Sequence, residues 1–225
     1  HRPAERLGAL GVDEVERPGG QLFRIEPGAR ARLIEVESGR ERALPELPGT
    51  GSVSRVGISP DDARVLVLRE DGTISLVDVV RSTVRWSTTA LRCEDVHEPH
   101  GIPSLALDAV DARAVVASRT HGCTVLDIRN GAILWQRHVG ASCTDVAITP
   151  DGERVFAADR DGLIEALDAR DASLHASSRR QRTRTSCMTI SSDGSRLVTG
   201  GTDGTLRIID TTTLEEQLSM LLSLE

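Results

Sequence analysis

Short apolar runs separated by polar turn residues recur along the chain. Val56-Gly57-Ile58 leads into Ser59-Pro60-Asp61-Asp62, then Arg64-Val65-Leu66-Val67-Leu68, then Asp71-Gly72-Thr73, then Ile74-Ser75-Leu76-Val77-Asp78. Runs of β-branched and aliphatic residues with period 2, bounded by turn residues, predict strands. In the Ser/Thr-Pro-Asp-Gly turns, proline presets φ and glycine accepts a positive φ. Asp-Gly between two apolar runs predicts a tight hairpin. A fourth run such as Ala132-Ile133-Leu134-Trp135-Gln136-Arg137 completes the unit. No helical period intervenes, which argues against βαβ units.

The unit repeats. A third copy runs from Val146-Ala147-Ile148-Thr149-Pro150-Asp151-Gly152 to Asp168, and a fourth from Met188-Thr189-Ile190-Ser191-Ser192-Asp193-Gly194 to Asp210. The second copy, ending at Asp127, is worn. The closing aspartates Asp78, Asp127, Asp168 and Asp210 are spaced by 49, 41 and 42 residues. A weaker half-copy, Arg32 to Gly39 with Leu22-Phe23-Arg24-Ile25 before it, puts Glu35 43 residues ahead of Asp78. Four antiparallel strands repeating at this period are the pattern of a propeller blade.

These residues resemble the WD-repeat β-propellers. The resemblance rests on the Ser59-Pro60-Asp61, Thr149-Pro150-Asp151-Gly152 and Ser192-Asp193-Gly194 turns, on the Asp71-Gly72-Thr73 and Asp203-Gly204-Thr205 hairpins, and on the strand-final aspartates. It covers roughly residues 20–218. The family's Trp before the final Asp is replaced by Val77, Leu126, Leu167 and Ile209, and its Gly-His pair is missing. The resemblance assigns Asp71, Asp161 and Asp203 to the family's buried Asp position, without the His partner. Asp127 to Trp135 also resembles the D-x-x-x-G-x-x-x-W stretch of quinoprotein-like propellers, whose Trp docks between blades, and Trp86 stands 49 residues earlier at the matching place. The turns are similar to those of YVTN propellers as well, some of which are lactonases.

The expected architecture is therefore all-β: a β-propeller of four-stranded antiparallel blades, about five in this chain. Residues 1–19 form an N-terminal segment. A partial blade spans 20–50, blades follow at about 53–92, 102–139, 143–180 and 185–218, and 219–225 is a tail. Residues Leu214–Leu222 fit a fourth strand and a short amphipathic helix equally well. The half-copy at the start, the thin end and the initial His1 fit a piece of a larger, seven-bladed ring better than a closed five-bladed one.

Composition adds limits. The 225 residues carry 27 basic and 34 acidic side chains, a net charge of −7, which argues against bulk nucleic-acid binding. Apolar residues make up 39%, enough for a core, and no apolar run is long enough to cross a bilayer as a helix. Cysteines 93, 123, 143 and 187 form no C-x-x-C pair and read as reduced thiols of a cytoplasmic protein.

Two segments invite chemistry. The long insertion Ser87–Pro103 contains Cys93, Glu94, Asp95, His97, Glu98 and His100. Thiolate plus imidazole suits zinc, with His121 and Cys123 as possible neighbours, but the spacing fits no zinc pattern and the segment reads as a solvated, partner-binding loop. Arg179, Arg180, Arg182 and Arg184 form the one basic run. Guanidinium groups there can grip an oxyanion or an acidic partner, or serve as a solvated edge that blocks sheet-to-sheet association. Trp86 and Trp135 read as inter-blade packing, and Asp78, Asp127, Asp168 and Asp210 as turn acceptors. No acid–base pair or phosphate-cradling loop stands out. The WD-repeat resemblance implies a non-catalytic scaffold for protein partners or a regulatory domain; no cofactor, metal or membrane contact is expected. Further blades or domains of the same protein are also expected. The alternative is a propeller enzyme or cofactor binder of the YVTN-lactonase or quinoprotein-like kind.

Overall fold

The computed structural model describes residues 14–16, 21–26, 30–35, 38–50, 52–59, 63–89, 104–108, 113–118, 121–140, 142–181 and 183–221. They form five four-stranded antiparallel sheets, each an up-and-down meander, and no helix. Sheet 1 holds β1 (Glu14–Glu16), β2 (Gln21–Glu26), β3 (Arg30–Glu35) and β4 (Glu41–Ala43). Sheet 2 holds β5 (Val53–Ile58), β6 (Arg64–Arg69), β7 (Thr73–Asp78) and β8 (Thr83–Thr89). Sheet 3 holds β9 (Ser104–Leu107), β10 (Arg113–Ser118), β11 (Gly122–Asp127) and β12 (Ile133–Arg137). Sheet 4 holds β13 (Cys143–Ile148), β14 (Arg154–Asp159), β15 (Ile164–Asp168) and β16 (Leu174–Ser177), and sheet 5 holds β17 (Thr185–Ile190), β18 (Arg196–Gly201), β19 (Thr205–Asp210) and β20 (Glu216–Leu221).

Sheet 1 is a complete four-stranded unit, not the partial blade its sequence suggested, because Val15 pairs with Phe23 and adds β1 to its edge. The C-terminal segment is a strand and not a helix. Met220 and Leu221 pair with Leu206 and Thr205, so β20 takes in residues 219–221, which the sequence assigned to a tail.

The first strands of sheets 2 to 5 stand side by side, β5 against β9, β9 against β13 and β13 against β17. The sheets thus fan out from a common axis and stack face to face. Each gap is filled by one apolar layer. Val65, Val67, Val77 and Val79 of sheet 2 meet Leu44 and Leu47, while Leu66, Leu68, Ile74 and Leu76 on its other face meet Leu107, Ala114, Val116 and Leu126 of sheet 3. Val115, Ala117 and Val125 continue to Val146, Val155 and Leu167 of sheet 4, and Phe156, Ile164 and Ala166 to Leu197 and Ile209 of sheet 5. Middle strands covered on both faces need no polar face, so β6, β7 and β11 are buried throughout and do not alternate as half-exposed strands would. Beyond sheet 5, the face carrying Val198, Leu206 and Ile208 is only half-buried, and Leu218 and Met220 on β20 are exposed.

The repeated polar residues close the turns. Ser59, Asp108, Thr149 and Ser191 each accept a hydrogen bond from the amide five residues on, at 2.9, 2.9, 3.0 and 3.0 Å. Asp78, Asp127, Asp168 and Asp210 accept from the amides of Arg81, Arg129, Arg170 and Thr212 at 2.7–2.9 Å, closing the turns that lead from β7, β11, β15 and β19 to their fourth strands. Side-chain oxygens that satisfy amides in this way hold a turn that the ladder leaves unbonded.

Candidate functional site

Two grooves are candidates for binding. The first lies along the axis, where β5, β9, β13 and β17 converge, and encloses about 460 Å³. Its lining is mostly apolar, with Val56, Ile58, Leu105, Leu107, Ile148, Met188 and Ile190, relieved by Ser104, Thr189, Ser191 and Ser192. No titratable side chain is among these lining residues. Gly57 leaves room here for the tip of the Leu105 side chain on the next strand, which a Cβ would push aside.

At one end of these strands a β-bulge in β5, β13 and β17 aligns Arg55, Asp145 and Cys187, with Ser104 on β9. Asp145 is buried at their centre. Its carboxylate accepts from the Val146 amide at 2.9 Å and also hydrogen-bonds Ser104 and the Met188 amide. One acid therefore ties three first strands together. Burial nevertheless wins and pushes its pKa up, with Arg55 and the hydrogen bonds offsetting only part of the cost.

The second groove, about 720 Å³, runs between the segment after β16 and the outer strands of sheet 5. Arg179, Arg180 and Gln181 line one side, and Asp203, Arg207, Glu215 and Glu216 the other. Arg180 pairs with Asp161 at 3.0 Å and stands 4.0 Å from the buried Asp159. Arg207 is held by Asp203 at 3.2 Å and Glu216 at 3.4 Å. Arg179 is exposed and carries no ion pair among the described residues. The basic run is a connection between sheets and not an edge strand. Its members separate: Arg179 and Arg180 face the groove, Arg184 is half-buried at the entry to β17, and Arg182 lies outside the described residues.

Cys93, Glu94, Asp95, His97 and His100 also lie outside the described residues. Among the described ones, no three His, Cys, Asp or Glu side chains are grouped to hold a metal ion. Nor is any helix there long and apolar enough to cross a membrane.

The aspartates assigned to the buried Asp position divide. Asp71 and Asp203 each accept from the amide two residues on, Thr73 and Thr205, at 2.9 and 3.0 Å. In sheet 4 that work falls to Asp159, fully buried, which accepts from Asp161 at 2.8 Å and Leu163 at 2.7 Å. Asp161 points outward to Arg180 instead. Asp159 hides in the sequence because its column holds Arg69, Ser118 and Gly201 in the other sheets.

Both tryptophans cross between sheets. The Trp86 indole N–H donates to Ile128 O at 2.6 Å, and the Trp135 indole to Ala169 O at 3.0 Å. Each acceptor directly follows the strand-final Asp of the next sheet. A bulge at Leu76/Val77 in sheet 2 and at Val125/Leu126 in sheet 3 sets each ring on its inter-sheet face. Sheets 4 and 5 carry the same bulge, but Ala176 and Leu218 stand where the rings would be.

A family profile described as outer membrane protein assembly factor BamB matches residues 18–148 and, overlapping, 70–213. No curated protein matches the sequence.

Proposed function

We propose that this chain, which belongs to the outer membrane protein assembly factor BamB family, is a non-catalytic propeller scaffold that binds a protein partner. The carrying observation is the groove beside sheet 5. Its mixed charges suit an extended polypeptide with an acidic group for Arg179, since guanidinium pairs bidentately with carboxylates. The half-buried apolar face of sheet 5 adds area for a larger partner or a further sheet. The family description names an outer membrane protein assembly factor, which supports a role in protein assembly. Cytoplasmic residence stands as a separate proposal, checked by cell fractionation.

Within the propeller class, WD-like ancestry is a finer reading supported by the turn-capping Ser59, Thr149 and Ser191. The docking of Trp86 and Trp135 favours the quinoprotein-like kind of blade.

The test places a photo-crosslinking residue at position 179 and, as control, at position 171 on the opposite turn of sheet 4. A discrete protein adduct from position 179, weakened by Arg180→Ser, is expected. Equal adducts from both positions overturn the groove as the binding surface.

A further inference from the structure

Cys123 and Cys143 are buried at 0% and 2% exposure in the single apolar layer between sheets 3 and 4. Cys123 sits near the start of β11 and Cys143 opens β13. β11 and β13 approach each other directly, although they belong to different sheets. The chain reaches β13 from the same end, since Cys123 pairs with Arg137 on β12 and only a short connection follows. Both side chains face the layer that holds Val139 and Val146.

We propose that Cys123 and Cys143, free thiols in this structure, form a disulfide that staples sheet 3 to sheet 4 when the chain folds in an oxidising medium, whereas a reducing cytoplasm keeps them apart as thiols. Each thiol loses its proton, the two sulfurs give up two electrons and one S–S bond forms. The electrons pass to a disulfide oxidant, such as oxidised glutathione, which is cleaved to two thiols through a mixed disulfide.

The timing follows from the surroundings. The thiolate is the attacking species, and burial raises both thiols, Cys143 to about 12, while the charge of Cys143 also raises Cys123. Once sheets 3 and 4 have closed, neither thiol ionises at neutral pH. The bond must form before the layer is sealed, and afterwards the same burial shields it from reductants. Cys187, exposed on β17, has no such protection.

The experiment refolds the unfolded full chain in a glutathione redox buffer, blocks free thiols and digests with trypsin without reduction. Peptide 120–129 linked to peptide 138–154 is expected. The oxidised form should melt about 6–12 °C above the reduced form, as a closed loop of this length implies. Folded, reduced protein exposed to the same buffer should form no such link. Cys123→Ala and Cys143→Ala should each abolish the link and the thermal gain. Free Cys123 and Cys143 after oxidative refolding, or their pairing with Cys93 or Cys187, overturns the proposal.

Discussion

Removing Trp86 measures what holds sheet 2 to sheet 3. Its ring is nearly buried among Leu66, Leu76, Leu107, Leu126 and Ile128, and its N–H satisfies Ile128 O at 2.6 Å. An indole burying about 200 Å² at about 25 cal/mol/Å² is worth up to about 5 kcal/mol, and Trp86→Ala should cost about 3–5 kcal/mol. A second substitution isolates the inter-sheet contact. Gly131 has φ of 73°, and a Cβ there would lie 2.6, 2.8 and 3.0 Å from three Trp86 ring carbons. Gly131→Ala should cost about 1 kcal/mol for the left-handed backbone plus about 1–3 kcal/mol for the overlap with the ring. In the Trp86→Ala background only the backbone part should remain. Urea unfolding followed by far-ultraviolet circular dichroism gives all three free energies without relying on the indole signal. If Gly131→Ala costs the same in both backgrounds, within about 0.5 kcal/mol, the ring does not rest on the turn as described. If Trp86→Ala does not fold, Trp86→Leu provides the second background.

Ala172 and Ser82 occupy the place of Gly131 in sheets 4 and 2 at φ of 63° and 54°, so Ala172→Gly and Ser82→Gly should each raise the urea midpoint, by about 0.5–1 kcal/mol in stability. Asp145 has a native pKa raised above 3.8 by burial, so the folded state binds its proton more tightly and loses stability as pH rises through that value. Asp145→Asn should therefore gain on the wild type from pH 4 upward and converge with it in acid; an unchanged pH–stability curve would refute the burial argument. Asp193 and Asp203 show the opposite sign. Hydrogen bonds from Ser191 and Ser195 hold Asp193 at about 2, and the Thr205 amide, helped by Arg207, does the same for Asp203. Their stabilisation is present above 3.8 and lost as pH falls towards 2, so Asp193→Asn and Asp203→Asn should flatten the acid limb of the thermal-melting profile.

By itself the sequence determined whatever recurs locally. Turn chemistry and strand patterning are properties of neighbouring residues, so the four-stranded unit, its period and the strand-final aspartates were legible without any tertiary knowledge. The inter-sheet place of Trp135, and of Trp86 at the matching position, was what the resemblance to quinoprotein-like propellers implied. Only the tertiary structure decided which residues meet across sheets. The partner of an indole, the clash that keeps residue 131 a glycine and the meeting of the free thiols Cys123 and Cys143 in one layer depend on stacking, which a period does not encode. Asp159 closes the turn in sheet 4 in place of Asp161, which pairs with Arg180 instead, whereas Asp71 and Asp203 keep the position that spacing assigned. Asp145 was one letter in a column with Arg55, Ser104 and Cys187 until convergence of the first strands put all four at one end of the axial groove. The arginine run looked like one patch because adjacent letters seem to share a surface. The connection into β17 puts Arg179 and Arg180, both exposed, on a groove and leaves Arg184 half-buried at the entry to β17.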